Sequence, residues 1–229
     1  MKKIFIACDT TNHSVIKKII NNTKSSKFKV GYKFGLEFFY SKNGRLFLSK
    51  LDKKKIIFLD LKLNDIPNTC RSAINSIKDL RNLNYITVHI NGGYEMIKTV
   101  KQAVKKNNKN LKVLGVTVLT SLSSSALKKI GHTKSVNKIV LKQVQLAKKA
   151  GLDGVVCSGQ EIKLIKKTCK NMEIITPGIR LPGDIRNDQK RVMYPKQAFL
   201  NGATSIVIGR SIIRGNIKKN FKKLTDHLK

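Results

Sequence analysis

What this sequence lacks narrows its function first. Its 229 residues include no tryptophan, and nine phenylalanines and five tyrosines offer few rings for stacking on nucleic-acid bases. The four cysteines show no C-x-x-C spacing and no neighbouring histidines. We therefore expect small buried thiols in a reducing, cytoplasmic compartment, with neither a metal centre nor a disulfide framework.

Long apolar runs are also missing. No stretch approaches the roughly 18 residues that a membrane-spanning helix needs, so we expect no membrane partner. The apolar run that begins at Ile4, after Lys2 and Lys3, ends at Asp9, which makes it too short for the hydrophobic region of a secretory signal. We interpret it as a first buried strand.

Acidic residues are scarce as well. Thirteen Asp and Glu stand against 47 Lys and Arg, which gives a net charge of +34 and a pI near 10.3. Such a charge is typical of nucleic-acid-binding proteins. Only eight of the 47 are arginine, however, and the lysines occur as scattered pairs in predicted helices. We favour solvated helix faces over a specific nucleic-acid site, and expect the positive field to attract a small polyanionic substrate. Examples of such pairs are Lys17-Lys18, Lys105-Lys106, Lys128-Lys129, Lys148-Lys149 and Lys166-Lys167.

What is present is a regular alternation of apolar runs and stretches with helical periodicity. Continuous apolar strands between helices predict a parallel sheet whose other face is covered. Eight such units in residues 1–229 favour a single-domain (β/α)8 TIM barrel over an open doubly wound sheet, and no glycine-rich phosphate loop follows the first strand. The predicted strands are Ile4–Asp9, Phe28–Phe34, Ile56–Lys62, Tyr85–His89, Lys112–Val118, Gly154–Cys157, Glu173–Thr176 and Ser205–Gly209. The clearest predicted helices are Asn68–Asp79, Gly93–Lys106, Val136–Ala150 and Glu161–Lys170.

Charged residues close the third strand. Asp60 and Lys62 are two residues apart, so regular strand alternation points both to the same side. A charged pair directed into an apolar barrel is costly unless it is paired or used. Asp65 lies beyond the strand, on a loop before Ile66-Pro67, and is directed independently. We interpret this run as a functional site, because active sites of such barrels lie at the carboxyl ends of the strands.

Other strand ends add polar residues whose roles the sequence leaves open. Asp9 either caps a helix or joins the site, and for His89 we favour a backbone hydrogen bond at the barrel rim. After the last strand, Gly209 and Arg210 combine a close backbone approach with a forked cation. The loop after the seventh strand, from Thr176 through Arg180 to Arg191, is long and polar, and loops seven and eight often bind phosphate in such barrels. The substrate is therefore expected to be a phosphate ester.

Taken together, these segments resemble the orotidine 5′-phosphate decarboxylase family over nearly the whole chain. The shared Asp-x-Lys-x-x-Asp pattern is common to a superfamily, but its combination with the Pro-Gly-Ile-Arg and Asp-Gln-Lys-Arg segments is highly specific. The matching segments are Asp9, Lys33-Phe34-Gly35-Leu36-Glu37, Asp60 to Thr69, Val88-His89 with Gly92-Gly93, Leu119-Thr120-Ser121, Thr176 to Arg180, Asp188 to Val192 and Ile208-Gly209-Arg210.

The resemblance implies cofactor-independent decarboxylation of orotidine 5′-monophosphate to uridine 5′-monophosphate, in a homodimer with shared active sites. It implies that Lys62 protonates C6 of the pyrimidine, that Asp60 faces the substrate carboxylate, and that Lys33 extends the charged array. Asp65, with Ile66, would reach the neighbouring subunit's site. Lys33 fits better than Lys29 because Gly35-Leu36-Glu37-Phe38 follows it. The implied substrate contacts are Asp9, Lys33, Asp60, Leu61, Lys62, Leu63, Asn64, Asp65, Ile66, Pro67, Asn68, Thr69, Thr120, Arg180, Gln189, Gly209 and Arg210.

Two other functions remain open at this stage. A sugar-phosphate decarboxylase of the same superfamily would share the Asp-x-Lys-x-x-Asp pattern but use a divalent metal, with an acidic residue near the position of Lys33. The lysine there argues against that enzyme, and no metal is expected. The second alternative, from another class, is a basic nucleic-acid-binding protein.

Overall fold

Eight parallel strands close into a barrel in the structure, a computed structural model that describes residues 2–184 and 192–229. Neighbours in the barrel follow the order of the chain, and the last strand pairs with the first. The strands are β1 Lys3–Ala7, β2 Lys29–Phe34, β3 Ile56–Leu63, β4 Leu83–His89, β5 Lys112–Val116, β6 Gly154–Val156, β7 Glu173–Thr176 and β8 Ser205–Ile208. The predicted barrel is thus confirmed, and each strand boundary lies within two residues of its predicted position.

Helices cover the outside of the barrel. They are α1 His13–Asn22, α2 Leu36–Phe39, α3 Gly44–Lys50, α4 Pro67–Ser76, α5 Gly93–Asn107, α6 Ser124–Lys129, α7 Val136–Lys149, α8 Ile162–Thr168, α9 Pro195–Leu200, α10 Arg210–Ile213 and α11 Ile217–His227. The five lysine pairs given above lie exposed on five different helices, α1 and α5 to α8, as expected for solvated faces. In the described ranges, no helix has the length and apolarity needed to cross a bilayer.

Strand alternation divides the core into two parts. Outward side chains such as Ile6, Ile57 and Ile86 pack against the helices. Inward side chains fill the barrel, where the Phe5 ring meets Phe58 and Tyr85 edge-on with centroids 5.1 and 5.3 Å away. Gly31 makes room for that ring, since a Cβ there would lie 2.7 Å from a Phe5 ring carbon. This aromatic layer fills the middle of the barrel.

At the amino ends of the strands, charged residues pack beside this layer. The amino-end cluster consists of Lys3, Tyr85, Lys112 and Glu173. Glu173 accepts a hydrogen bond from the Tyr85 hydroxyl at 3.1 Å and forms ion pairs with Lys3 and Lys112, while Lys3 also contacts that hydroxyl. Burial lowers the pKa of Lys3, and Glu173 only partly offsets this because Lys112 competes for the same carboxylate. Burial would raise the pKa of Glu173, but its two lysines hold that pKa below its usual range.

Candidate active site

The carboxyl ends of the strands open into a cavity of about 250 Å³. One part of its wall is charged and consists of Asp9, Lys33, Asp60 and Lys62. Two arginines, Arg180 and Arg210, belong to the same wall. The remaining lining is mostly apolar and includes Ala7, Phe58, Val116, Val118, Leu119, Val156, Pro177 and Val207. The cavity therefore offers one apolar chamber bordered by separate sets of charged groups.

The acidic and basic groups in this wall alternate. Lys33 Nζ lies 3.1 Å from Asp9 Oδ1 and 3.4 Å from Asp60 Oδ2. Lys62 Nζ lies 2.9 Å from the same Asp60 oxygen. Asp60 is only 8 % exposed, so its charge depends on these two ammonium groups rather than on water. Asp65 takes no part in this row within the chain.

Strand alternation explains how three of these side chains enter the barrel. Phe5, Gly31 and Phe58 occupy inward positions on β1, β2 and β3. Because side chains on a strand alternate between faces, positions an even number of residues further along point inward as well. Those positions are Asp9, Lys33 and Asp60, where the layer of aromatic and aliphatic side chains gives way to charge.

Lys62 reaches the cavity by a different route from the one the sequence suggested. Between β3 and β4 the pairing runs from Leu59 with Ile86 to Leu63 with Val88, so β3 contains two extra residues in a bulge. Within it Lys62 adopts φ 51°, the only positive φ of a non-glycine residue in the described chain. That conformation costs about 1–2 kcal/mol for a residue with a Cβ. The prediction that Asp60 and Lys62 lie together is confirmed, but regular alternation is not the reason.

Thr87 joins the two residues across the bulge. Its hydroxyl donates to Asp60 Oδ1 at 2.9 Å and accepts the backbone N–H of Lys62 at 2.8 Å. The residue is fully buried on β4. We name Asp9, Lys33, Asp60, Lys62 and Thr87 the carboxyl-end cluster.

The cluster shifts the pKa values of its members apart. Burial would lower the pKa of Lys33, but the carboxylates of Asp60 and Asp9 raise it above its usual value. Burial would raise the pKa of Asp60, but Lys33, Lys62 and the hydrogen bond from Thr87 hold it below its usual range. Both groups are consequently charged throughout the neutral pH range.

The arginines lie where the cavity meets the loops after β7 and β8. Arg180 is buried and donates from Nη1 to the carbonyl of Ile179 at 2.9 Å. Gly209 and Arg210 follow β8, and a Cβ on Gly209 would approach that of Ala7 to 3.2 Å. Both arginines also line an adjoining cavity of about 280 Å³. Two forked cations beside a close-packed glycine suit a phosphate group. Gln189, predicted to join them, lies outside the described residues.

The segment after Asp60 divides between core, surface and cavity. Leu61 and Leu63 pack against the hydrophobic core, and Asn64 lies beside Gly92. Asp65 and Ile66 are exposed, with Asp65 Oδ1 accepting the Ile66 N–H at 2.6 Å. The first helical residues of α4 follow; they are Pro67, Asn68 and Thr69. None of these eight residues borders the chain's own cavity, whereas the predicted Thr120 does.

Sequence reasoning missed Thr87 and the apolar wall. Thr87 could have been found as a polar residue at an inward position of β4, two residues after Tyr85, had alternation been followed along that strand. His89 behaves as expected, since its Nδ1 accepts the backbone N–H of Asn91 at 3.4 Å. All four cysteines are free and buried, although Cys157 also borders the cavity. Within residues 2–184 and 192–229, no three His, Cys, Asp or Glu side chains form a group that could hold a metal.

Comparisons with known proteins agree with this geometry. The sequence model of the orotidine 5′-phosphate decarboxylase / HUMPS family matches residues 2–220. The chain is 39% identical over 214 residues to an orotidine 5′-phosphate decarboxylase of Erythrobacter litoralis, covering 93% of this chain and 92% of the relative. It is 41% identical to that of Wolbachia pipientis subsp. Culex pipiens, covering 99% and 100%. The crystal structure of the Lactobacillus acidophilus enzyme superposes with a TM-score of 0.85 at 30% identity, covering 100% and 99% of the two chains.

Proposed function

The chain belongs to the orotidine 5′-phosphate decarboxylase family of enzymes, and from that membership we propose that it converts orotidine 5′-monophosphate to uridine 5′-monophosphate and CO2. This would be the last step of de novo UMP synthesis. The observation that carries the proposal is Asp60 Oδ2 between two ammonium groups, on the wall of a cavity that also presents Arg180 and Arg210. A nucleoside monophosphate needs both features: the charged groups around Asp60 for its ring, and the two arginines for its phosphate.

The charges of Asp60 and Lys62 suit the redistribution of charge in this reaction. The bond between C6 and the carboxylate carbon breaks, CO2 leaves, and the electron pair stays on C6. The Lys62 ammonium then delivers a proton to C6 and recovers one from solvent. Asp60 faces the departing carboxylate, while Lys62 stabilises negative charge that develops only as the bond breaks. Stabilisation that grows toward the transition state accelerates the reaction, and no cofactor is needed to accept electrons.

Phosphate binding would contribute from a distance. Arg180, Gly209 and Arg210, together with Gln189, would hold the phosphate, with Thr120 beside the ring and ribose and Asp9 in contact with the substrate. Binding energy gained away from the reacting carbon can offset the cost of placing two carboxylates near each other. The net charge of +34 would favour the approach of this polyanionic ester.

Lys33 separates this proposal from the metal-dependent sugar-phosphate decarboxylases. Its ammonium lies between the carboxylates of Asp9 and Asp60, within 3.4 Å of both. A divalent cation would need those carboxylates as ligands and would meet the repulsion of a lysine whose pKa is raised. The chain's own positive charge thus occupies the place of a metal.

We also propose a homodimer in which each site borrows Asp65 and Ile66 from the neighbouring subunit. Two facts support this arrangement. Asp65 lies outside its own chain's cavity, and the adjacent Ile66 is 66 % exposed, an apolar side chain that a neighbouring subunit would cover. Leu36 and Tyr40, on and just after α2, are exposed as well.

A cytoplasmic location is consistent with four free cysteines.

The loss of orotidine 5′-monophosphate absorbance, followed with purified protein in excess chelator, tests the reaction. We expect saturable turnover that chelation leaves unchanged. Turnover that chelator abolishes and magnesium restores would favour the metal-dependent alternative. Absence of turnover, with tight and steeply salt-dependent binding to mixed-sequence duplex, would favour the nucleic-acid-binding one.

A further inference from the structure

We infer that Thr87 is a positioning residue that sets both the backbone of Lys62 and the orientation of the Asp60 carboxylate, an inference that rests on the proposed function. The residue does not border the cavity itself. Its effect must therefore pass through the two charged residues that its hydroxyl joins.

The Thr87 hydroxyl first acts on the backbone of Lys62. The bulge between Leu59 and Leu63 removes regular ladder pairing at Lys62, whose N–H is part-buried. The Thr87 hydroxyl accepts that N–H at 2.8 Å. Left-handed residues other than glycine persist only where the surroundings fix them, and such strain concentrates at functional sites. This hydrogen bond is the contact that fixes Lys62 at φ 51°.

The same hydroxyl also orients the carboxylate of Asp60. Asp60 has two oxygens and three side-chain partners. Thr87 takes Oδ1 at 2.9 Å, which leaves Oδ2 for Lys33 and Lys62 at 3.4 and 2.9 Å. A rotation of the Asp60 carboxylate would break its hydrogen bond with the Thr87 hydroxyl. Thr87 therefore fixes the position of Oδ2, the oxygen that both ammonium groups share. A threonine serves this purpose well, because its branched Cβ restricts the side chain on a strand.

Loss of the Thr87 hydroxyl should therefore disturb the positions of Asp60 and Lys62 rather than the binding of the substrate. Thr87→Val keeps the shape but leaves Asp60 Oδ1 and the Lys62 N–H without this partner. We expect kcat to fall about 10-fold or more, with KM changed less than about 3-fold, because the phosphate contacts are untouched. The acid limb of the kcat profile should move to higher pH, because one of the hydrogen bonds that lowers the pKa of Asp60 is gone.

Two companion variants make the experiment decisive. Thr87→Ser retains the hydroxyl and should recover most of kcat and the original acid limb. Thr117→Val removes another fully buried barrel hydroxyl, which donates only to the Val156 carbonyl at 3.1 Å, and should leave kcat within about 2-fold. Far-UV circular dichroism establishes that each variant is folded.

The inference is overturned if folded Thr87→Val keeps its kcat and acid limb, or if Thr87→Ser is as impaired as Thr87→Val. If Thr87→Val does not fold, the serine variant still decides, since normal kinetics are expected of it and a kcat loss or shifted acid limb would contradict the role. Wild-type protein that fails to decarboxylate orotidine 5′-monophosphate would instead reject the proposed function. The two failures are thus distinguishable.

Discussion

The two ends of the barrel both place a half-buried lysine against carboxylates, yet the pKa of that lysine shifts in opposite directions at the two ends. At the carboxyl end, Lys33 lies between Asp9 and Asp60, and its pKa is raised. At the amino end, Lys3 shares the single carboxylate of Glu173 with Lys112, and its pKa is lowered. Burial disfavours the charge of both lysines, so the ratio of carboxylates to ammonium groups decides the direction.

The surroundings of the two clusters differ as well. The carboxyl-end cluster borders a cavity, where its charges can face a substrate. In the amino-end cluster, Lys3 Nζ lies 4.7 Å from the centroid of the Tyr85 ring and 5.9 Å from that of Phe5. Its groups satisfy one another and cover the aromatic layer. We therefore assign chemistry to one end and stability to the other, a division that is common in barrels of this type.

Substituting Lys33 at the carboxyl end and Lys3 at the amino end should give the largest difference between the two ends of the barrel. Lys33→Ala should lower kcat for orotidine 5′-monophosphate at least about 10²-fold, the scale expected for one preorganised electrostatic group. Lys3→Ala should keep kcat within about 2-fold, because the aromatic layer separates it from the cavity. Steady-state kinetics on both variants measure the difference. Equal losses in two folded variants would refute the division.

Mixing two inactive chains sharpens the comparison, because only the carboxyl end is proposed to be shared between subunits. In a hybrid of Asp60→Ala and Asp65→Ala chains, one of the two sites has every carboxylate intact. With random exchange half the dimers are hybrids, so about a quarter of wild-type activity should return. The assay follows orotidine 5′-monophosphate after subunit exchange has been verified by mass spectrometry. No recovery in verified hybrids would argue against shared sites.

The amino end should respond in stability rather than in rate. Glu173→Gln leaves Lys3 and Lys112 without their carboxylate, and we expect a loss of about 1–2 kcal/mol in the free energy of unfolding. Urea denaturation measures this value, and kcat should stay within about 2-fold. As a control, Asp226→Asn removes an exposed carboxylate paired with Lys222 and Lys229 and should have no measurable effect. Equal effects of both substitutions would contradict a structural role for Glu173.

The smallest expected effect is the response of each lysine to alkaline pH. The lowered pKa of Lys3 means that the folded state releases this proton before the unfolded state does, so stability relative to Lys3→Met should rise as pH approaches 10.5. The raised pKa of Lys33 has the opposite sign: its contribution relative to Lys33→Met should be constant below 10.5 and decline as pH rises through the folded-state pKa. Urea denaturation at pH 7 and 10 measures both comparisons. Between these pH values, the stability of the wild type relative to Lys3→Met should change by less than about 1 kcal/mol, whereas its stability relative to Lys33→Met should stay constant. Parallel responses would show that the two lysines have similar surroundings.

Much of the fold could be predicted from the sequence because apolar periodicity is local. The eight strands, the barrel and the inward directions of Lys33 and Asp60 all follow from runs and alternation. The bulge at Lys62 could not be predicted, since it depends on the pairing of β3 with β4 and on the Thr87 hydroxyl. Nor could the amino-end cluster, whose members come from four strands distant in sequence.

The candidate site was predictable mainly through the resemblance of its motifs. Alternation alone identifies Asp60 as inward, but it gives neither the role of Asp9 nor the orientation of Arg180. The structure brings Asp9, Thr120, Arg180 and Arg210 to one cavity with the charged pair. It places Asp65 outside that cavity, where the proposed dimer would bring it to the neighbouring subunit's site.

The central claim is that Lys62 supplies the proton and does not merely bind the nucleotide. Lys62→Ala tests it most directly, with orotidine 5′-monophosphate turnover and uridine 5′-monophosphate affinity measured on the same preparation. We predict that turnover falls at least about 10³-fold, equivalent to about 4 kcal/mol of transition-state stabilisation, while product affinity changes less than about 10-fold. A folded Lys62→Ala enzyme with substantial turnover would contradict the account.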